Sequence, residues 1–242
     1  MLSASNVWNV TTIGTIGAGN IGAAIAKLAE GTEHRVILSN SRGPVSLSGL
    51  AMNLGQHVSA GTTEDAASCD IVVVTIPLHK LSQLPNGLLN GKVLIDTMNY
   101  YPDRDGTFAE LDRQETTTSR MVAEHFHGAR VVKAFSSIVV SHLIDLARPL
   151  DAADRSTLPV AADDQEAKAL VASLIRVFGF DVLDAGSLAN SWRFENGQPA
   201  YCLPYVADPQ AWRVSSPGNR PHGTRRVTGT ELADHLARGT RV

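Results

Sequence analysis

Phosphate binding is the first chemistry legible in the chain. Ile16-Gly17-Ala18-Gly19-Asn20-Ile21-Gly22 fits the pattern GxGxxG. In that pattern the first glycine permits a tight turn, the second lets the backbone approach a pyrophosphate, and the third allows close packing of helix on strand. Free amides at the start of the following helix then face the phosphates. At the end of the next strand, where an NAD site holds an acid for the ribose hydroxyls, the chain reads Ser39-Asn40-Ser41-Arg42-Gly43-Pro44. No carboxylate stands there to repel a 2′-phosphate. The hydroxyls of Ser39 and Ser41 and the amide of Asn40 can donate to one, and Arg42 can bind it as a fork or stack on the adenine. The implied cofactor is NADP(H); the competing reading is a polar turn with a solvated arginine.

Further polar groups fall where this kind of chain places a substrate. Asp96-Thr97-Met98-Asn99-Tyr100-Tyr101-Pro102-Asp103 follows a strand and so occupies the carboxyl edge of a sheet, where ligands bind. Asn99 and Tyr100 can hydrogen-bond a substrate or stack on a ring, or can serve only as a stiff turn. Lys133 sits within an apolar strand, so its ammonium needs a partner or a route to a cleft; a snorkelling lysine is the default. Ser136 and Ser137 follow at that strand's carboxyl end. His125 and His127 are separated by one residue at a helix end, which puts them on different faces, and no metal site is expected. No Ser-His-Asp order or paired-carboxylate pattern emerges.

The elements that must position these residues alternate along the chain. Strands are expected at Val10–Ile16, Arg35–Ser39, His57–Ala60, Ile71–Ile76, Lys92–Asp96, Arg130–Phe135, Leu158–Ala161 and Phe180–Asp184, and helices at Asn20–Glu30, Ser119–Phe126 and Asp164–Phe178. Short β-branched runs alternating with Ala- and Leu-rich segments indicate a Rossmann-type, doubly wound α/β fold with a mainly parallel sheet. The GxGxxG motif gains weight here because it follows a strand and opens a helix. After Ser187 prolines punctuate the chain until a helix candidate at Thr230–Arg238. The expected organisation is an NADP-binding domain over 1–185 and a small irregular extension over 186–242, capping the cleft and ending in a basic tail.

Taken in order, GAGNIG, the SNSRGP loop, Thr75-Ile76-Pro77, VVKAF at 131–135, LPVAADDQEAK at 158–168 and DAGSLANSWRFE at 184–195 resemble the NADPH-dependent coenzyme F420 reductases, or F420:NADP oxidoreductases. More distantly they resemble the cytosolic reductase domain of the STEAP metalloreductases. The resemblance covers roughly residues 10–204. It implies that Gly17, Ala18, Gly19, Asn20 and Ile21 hold the pyrophosphate, that Ser41 and Arg42 hold the 2′-phosphate, and that Thr75, Ile76, Pro77 and Leu78 line the nicotinamide. It further implies hydride transfer between the nicotinamide and coenzyme F420 or a flavin-like ring, a reaction that needs positioning and exclusion of water more than a strong acid or base. Trp192 and Arg193 fall in the segment similar to the family's cap over the second redox partner, and family members are commonly homodimers. The stretch after Asp96 departs from the more apolar one of the archetypal deazaflavin reductases. Ala162 replaces the glycine before the acidic pair, and Ser136 stands where relatives often carry Asn or His.

Composition bounds the remaining possibilities. The chain has 242 residues, 43% hydrophobic and 19% charged, with a net charge of -3. It has neither a field to attract nucleic acid nor an apolar run long enough for a membrane span. Cys69 and Cys202 form no disulfide framework or zinc motif, and Met1–Val10 carries no secretion pattern, so a cytoplasmic setting is expected. Six arginines after Val206 oppose Asp208, Glu231 and Asp234, leaving a basic tail without an assigned role. Two other readings compete. One is a β-hydroxyacid dehydrogenase or imine reductase, which the missing KxxxN helix and the short extension disfavour. The other is a non-catalytic NADP(H) sensor, which the fold alone does not exclude.

Overall fold

Strands form where β-branched residues cluster, and the sheet is the frame of the molecule. The computed structural model describes residues 11–210 and 223–241. Eight strands, β1 (Thr12–Ile16), β2 (Arg35–Ser39), β3 (Val58–Ala60), β4 (Ile71–Val74), β5 (Val93–Asp96), β6 (Arg130–Lys133), β7 (Thr157–Ala162) and β8 (Asp181–Asp184), lie in the order β3-β2-β1-β4-β5-β6-β7-β8. Every residue of β4, β5 and β7 is buried, as expected for strands covered on both faces. The order reverses between β1 and β4, which opens a crevice at their carboxyl ends. The fold is therefore the doubly wound Rossmann-type architecture.

The first six strands are parallel, but β7 pairs with β6 antiparallel, so the expected run of parallel crossovers stops there. The connection from β6 starts and finishes at the same edge of the sheet; β8 then returns to parallel pairing, with β7. Two strands also end early. β4 stops at Val74 because the chain turns through Thr75 to Pro77, and β6 stops at Lys133 because Phe135 takes a left-handed φ of 58°. The expected strand start at Val10 lies outside the described residues.

Among the helices, α1 (Asn20–Glu30) matches its expected bounds, and Ala24, Ile25, Ala26 and Ala29 are buried against the sheet. The sequence reading missed α2 (Ser48–Leu54), α3 (Thr63–Ser68), the short α4 (Pro102–Asp105) and α5 (Ala109–Asp112), and α7 (Val140–Asp145). Each has seven residues or fewer, too few turns to build an apolar stripe. Both α6 (Thr118–His125) and α8 (Gln165–Val177) sit within a residue of expectation. Side chains of Thr62, Thr117 and Asp164 close the amino ends of α3, α6 and α8. The start of α1 has neither a capping side chain nor an acid in its first turn, so its orphan amides stay open.

The chain after β8 forms 3-10 turns at Leu188–Phe194 and Leu203–Tyr205 and a last helix at Gly229–Ala237. Thr228 and Glu231 join that helix start in a reciprocal capping box. Tyr205 is fully buried and donates to the carbonyl of Thr157 at 2.8 Å, while Val227, Leu232 and Leu236 enter the main core. The basic tail is partly accounted for by this packing. Arg225 pairs with Glu231 at 3.0 Å and Arg241 donates to the carbonyl of Thr116 at 2.8 Å; Arg213 and Arg220 lie outside the described residues. Among the described residues no helix is long and apolar enough to cross a membrane.

Candidate functional site

A cavity of about 380 Å³ opens at the crevice between the carboxyl ends of β1 and β4. The wall of the cavity at the glycine motif follows from glycine geometry. Gly17 takes a φ of 108°, and a Cβ there would lie 2.4 Å from the carbonyl oxygen of Thr75. A Cβ on Gly22 would lie 2.3 Å from the carbonyl oxygen of Gly17, whereas one on Gly19 would meet open space. The first and third glycines thus lock turn, helix and β4 together. The second leaves the backbone bare toward the cavity, beside Asn20 and Ile21, which also line it. Gly17 and Ala18 shape the turn from behind, with the amide of Gly17 donating to the carbonyl of Ser39 at 3.0 Å.

The loop after β2 divides the expected 2′-phosphate contacts into two kinds. Ser39 is buried and its hydroxyl donates to the carbonyl of Thr15 at 2.8 Å, so it is removed from the set. Asn40 is also engaged: its carbonyl oxygen accepts from the amide of Arg42 at 2.9 Å and its NH₂ donates to Ser46 at 3.0 Å. Its role is to shape the turn. Ser41 and Arg42 are exposed, which leaves their side chains available to an anion, and among the described residues no acid flanks them on this loop.

On the opposite wall Thr75, Ile76 and Pro77 line the cavity, but Leu78 does not. It is 1% exposed and packs into the core beneath α3 and α6. Asn99 and Ser136 both reach the cavity. Asn99 is held in place, donating to the carbonyl of Ser136 at 2.8 Å and accepting from the amide of Asn196 at 3.2 Å. The hydroxyl of Ser136 is buried and has no partner, an orphaned polar atom at the cavity wall of the kind a ligand satisfies.

Three expected substrate contacts lie elsewhere. Tyr100 turns into a separate hollow of about 160 Å³ with Trp192, Glu195 and Arg241, because adjacent residues of extended chain face opposite ways; its neighbour Tyr101 lines the main cavity instead. Trp192 packs against the guanidinium groups of Arg193 and Arg241, whose centres lie 4.8 and 5.1 Å from its ring. Lys133 neither snorkels nor reaches the cavity. It is wholly buried, 3.2 Å from Asp96 and 3.8 Å from Glu195, and donates to Thr118 at 2.9 Å and to the carbonyl of Met98. Asp96 in turn accepts from Ser119 at 2.6 Å and from the amide of Met98 at 2.8 Å. The buried pair therefore braces the chain that floors the cavity.

Several lining residues had no signal in the sequence. Tyr201 and Cys202 arrive from the far end of the chain, where the amide of Cys202 donates to the carbonyl of Ser137 at 2.9 Å. The hydroxyls of Tyr101 and Tyr201 hydrogen-bond each other. Arg104 lies 4.6 Å over the Tyr101 ring and is gripped by Asp105 at 2.8 Å. Burial opposes charge on Asp105, yet hydrogen bonds from Arg104, His79 and the amide of Tyr101 hold its carboxyl well below the usual carboxylate range. Burial pushes the Cys202 thiol up to about 12, so it is a neutral packing group rather than a nucleophile. Among the described residues no cluster could hold a metal ion.

With this geometry in view, the amino-terminal part of the chain can be set beside known proteins. Residues 12–100 match the family described as NADP oxidoreductase, coenzyme F420-dependent. Over more of its length the chain is similar to two named reductases. It is 27% identical over 210 residues to the F420-dependent NADP reductase of Methanothermobacter thermautotrophicus, covering 80% of this chain and 87% of that protein. It is 30% identical over 204 residues to metalloreductase STEAP3 of Rattus norvegicus, covering 84% of this chain. The chain spans only 38% of STEAP3's length. The crystal structure of the hypothetical protein SMa0349 from Sinorhizobium meliloti superposes with a TM-score of 0.71 at 28% identity, covering 80% of this chain and 94% of that one. The resemblance read from the ordered motifs holds, and it extends beyond β5 into the half that bears Tyr201.

Proposed function

We propose that this chain is an NADP(H)-dependent oxidoreductase that moves a hydride between NADPH and a flat, flavin-like acceptor such as coenzyme F420. One observation carries the reading: the uncapped, acid-free start of α1 opens beside bare Gly19 onto a cavity at the sheet's switch point. The residues fit the cofactor. Open amides at α1 suit a pyrophosphate, and Ser41 and Arg42 at an acid-free β2 end suit a 2′-phosphate. The dihydronicotinamide supplies the hydride when bound.

The protein's own part is positioning. Thr75, Ile76 and Pro77 form one wall of the nicotinamide half, and Met98, Ile138 and Val139 add apolar surface that excludes water from the reacting faces. Asn99 and Ser136 add polar groups to the cavity wall, the buried Ser136 hydroxyl being the one without a partner. Two stacked rings need no strong acid or base, which agrees with a site whose thiol is held neutral. The family resemblance also supports a homodimer, and the free thiols of Cys69 and Cys202 suit a reducing cytoplasm.

The test is turnover. Purified protein is mixed with NADPH and, in turn, F420, FMN, FAD and a ferric chelate, while loss of the dihydronicotinamide and acceptor absorbance is followed. NADPH oxidation coupled to F420 reduction is expected. Tight NADPH binding with no oxidation by any acceptor would replace this reading with that of a non-catalytic sensor.

A further inference from the structure

We infer that Tyr101, held by Tyr201 and Arg104, is the hydrogen-bond donor that meets the negative charge arriving on the acceptor with the hydride. This rests on the hydride-transfer reading above and assigns that site its specificity for acceptors with a conjugated carbonyl edge.

Both phenols line the main cavity and their hydroxyls are bonded to each other. A phenol pair places one of its two protons between the oxygens and leaves the other to be given elsewhere. Burial pushes both hydroxyls up, so both stay protonated. Cys202 lies beside both phenols and adds to that rise, while Arg104 over the Tyr101 ring works against it there. Either hydroxyl can be the donor within the pair; Tyr101, fixed at its ring by Arg104 and at its amide by Asp105, is the member assigned to give its proton to the cavity.

The surroundings fix this arrangement. Asp105 accepts from the amide of Tyr101 at 3.0 Å and grips Arg104 at two nitrogens, and Arg104 also donates to the carbonyl of Asn99 at 2.9 Å. His79 closes the far side of Asp105 at 2.9 Å. The charged and titratable groups facing the pair are thus Arg104, Asp105 and the neutral thiol of Cys202. An arginine above the ring and a neutral donor at its tip form a preorganised place for developing negative charge.

The step balances without an added acid. The C–H bond on the dihydronicotinamide breaks and its electron pair travels with the hydrogen to a carbon of the acceptor, where a new C–H bond forms. The nicotinamide is oxidised and the acceptor reduced. The negative charge settles on the acceptor's carbonyl and imide edge, where the Tyr101 hydroxyl donates its hydrogen bond.

Wild type, Tyr101→Phe and Tyr201→Phe are compared in three measurements: kcat with NADPH and F420, equilibrium binding of oxidised and reduced F420, and binding of NADPH. Tyr101→Phe is expected to lower kcat about 30- to 100-fold and to weaken reduced F420 about 10-fold more than oxidised F420. NADPH affinity should stay within about twofold, since the pair is assigned to the acceptor. Tyr201→Phe keeps the donor but frees it to turn, and should lower kcat about 3- to 10-fold. If wild type reduces F420 while Tyr101→Phe matches it in kcat and in the reduced-to-oxidised affinity ratio, this inference is overturned and the functional reading survives. If wild type reduces none of F420, FMN and FAD, both fall; if it reduces FMN or FAD instead of F420, the same comparison is made with that acceptor. Should Tyr101→Phe fail to fold, an unchanged kcat in Tyr201→Phe overturns the inference.

Discussion

Replacing Lys133 with methionine keeps the length and apolar stem of the side chain and removes only its charge. In the native protein that ammonium is 0% exposed and meets Asp96, Thr118, the carbonyl of Met98 and, at 3.8 Å, Glu195. Its loss leaves the fully buried Asp96 carboxylate with only Ser119 and the Met98 amide as donors. Breaking one side of a buried pair costs about 3–5 kcal/mol, a large part of the roughly 5–15 kcal/mol that holds a domain folded. At about 2–4 °C per kcal/mol for a chain of this size, the melting temperature should drop by about 6–20 °C. Urea unfolding monitored by circular dichroism gives the free energy directly. Adding Asp96→Asn to Lys133→Met removes the stranded charge and should recover part of the loss, a coupling the double-mutant cycle reads. A loss below about 1 kcal/mol for Lys133→Met would refute the reasoning, because a buried charge cannot be abandoned that cheaply.

Gly22→Ala places a Cβ 2.3 Å from the carbonyl oxygen of Gly17, so α1 must move away from the turn. Overpacking of this kind costs about 1–3 kcal/mol, and NADPH binding measured by calorimetry should weaken at least about 10-fold; unchanged affinity would show that the turn is not the phosphate cradle. For Asp105 the folded carboxyl is held below its unfolded value by its hydrogen bonds. Its contribution is therefore complete above the ordinary aspartate range and is lost as pH falls through and below it. The stability gap between wild type and Asp105→Asn should be at least about 1.5 kcal/mol at neutral pH and should narrow as pH falls from about 5, still narrowing at about pH 3 and below; a gap that is constant between about pH 5 and pH 3 would contradict the assignment.

Much of the frame was legible because it rests on local signals. Ile71–Val74 and Val93–Ile95 are apolar on both faces and read as buried strands, and α1 begins where the glycine motif says it must. The reversal of β7 was not legible, because strand direction is set by where a connection returns and leaves no mark on the strand's own residues. Site residues divide in the same way. Thr75 to Pro77 could be placed because they end a recognisable strand. Tyr100 and Tyr101 are adjacent tyrosines whose facing depends on the register of the chain leaving β5, so Tyr100 was the expected contact whereas Tyr101 faces the cavity. Ser39 looked like a donor until its hydroxyl was found turned onto Thr15. Tyr201 lies a hundred residues from its partner Tyr101, and only the path of the chain after β8 brings them together.

The central claim is that the cleft is an NADP(H) site whose 2′-phosphate is read by the loop after β2. Calorimetric titration of wild type and Arg42→Ala with NADPH and NADH tests it most directly. Wild type should prefer NADPH, and Arg42→Ala should lose about 10- to 100-fold in NADPH affinity, the worth of a charge-assisted contact, with little change for NADH. Equal binding of NADPH and NADH by wild type, or an NADPH preference that survives Arg42→Ala intact, would contradict it.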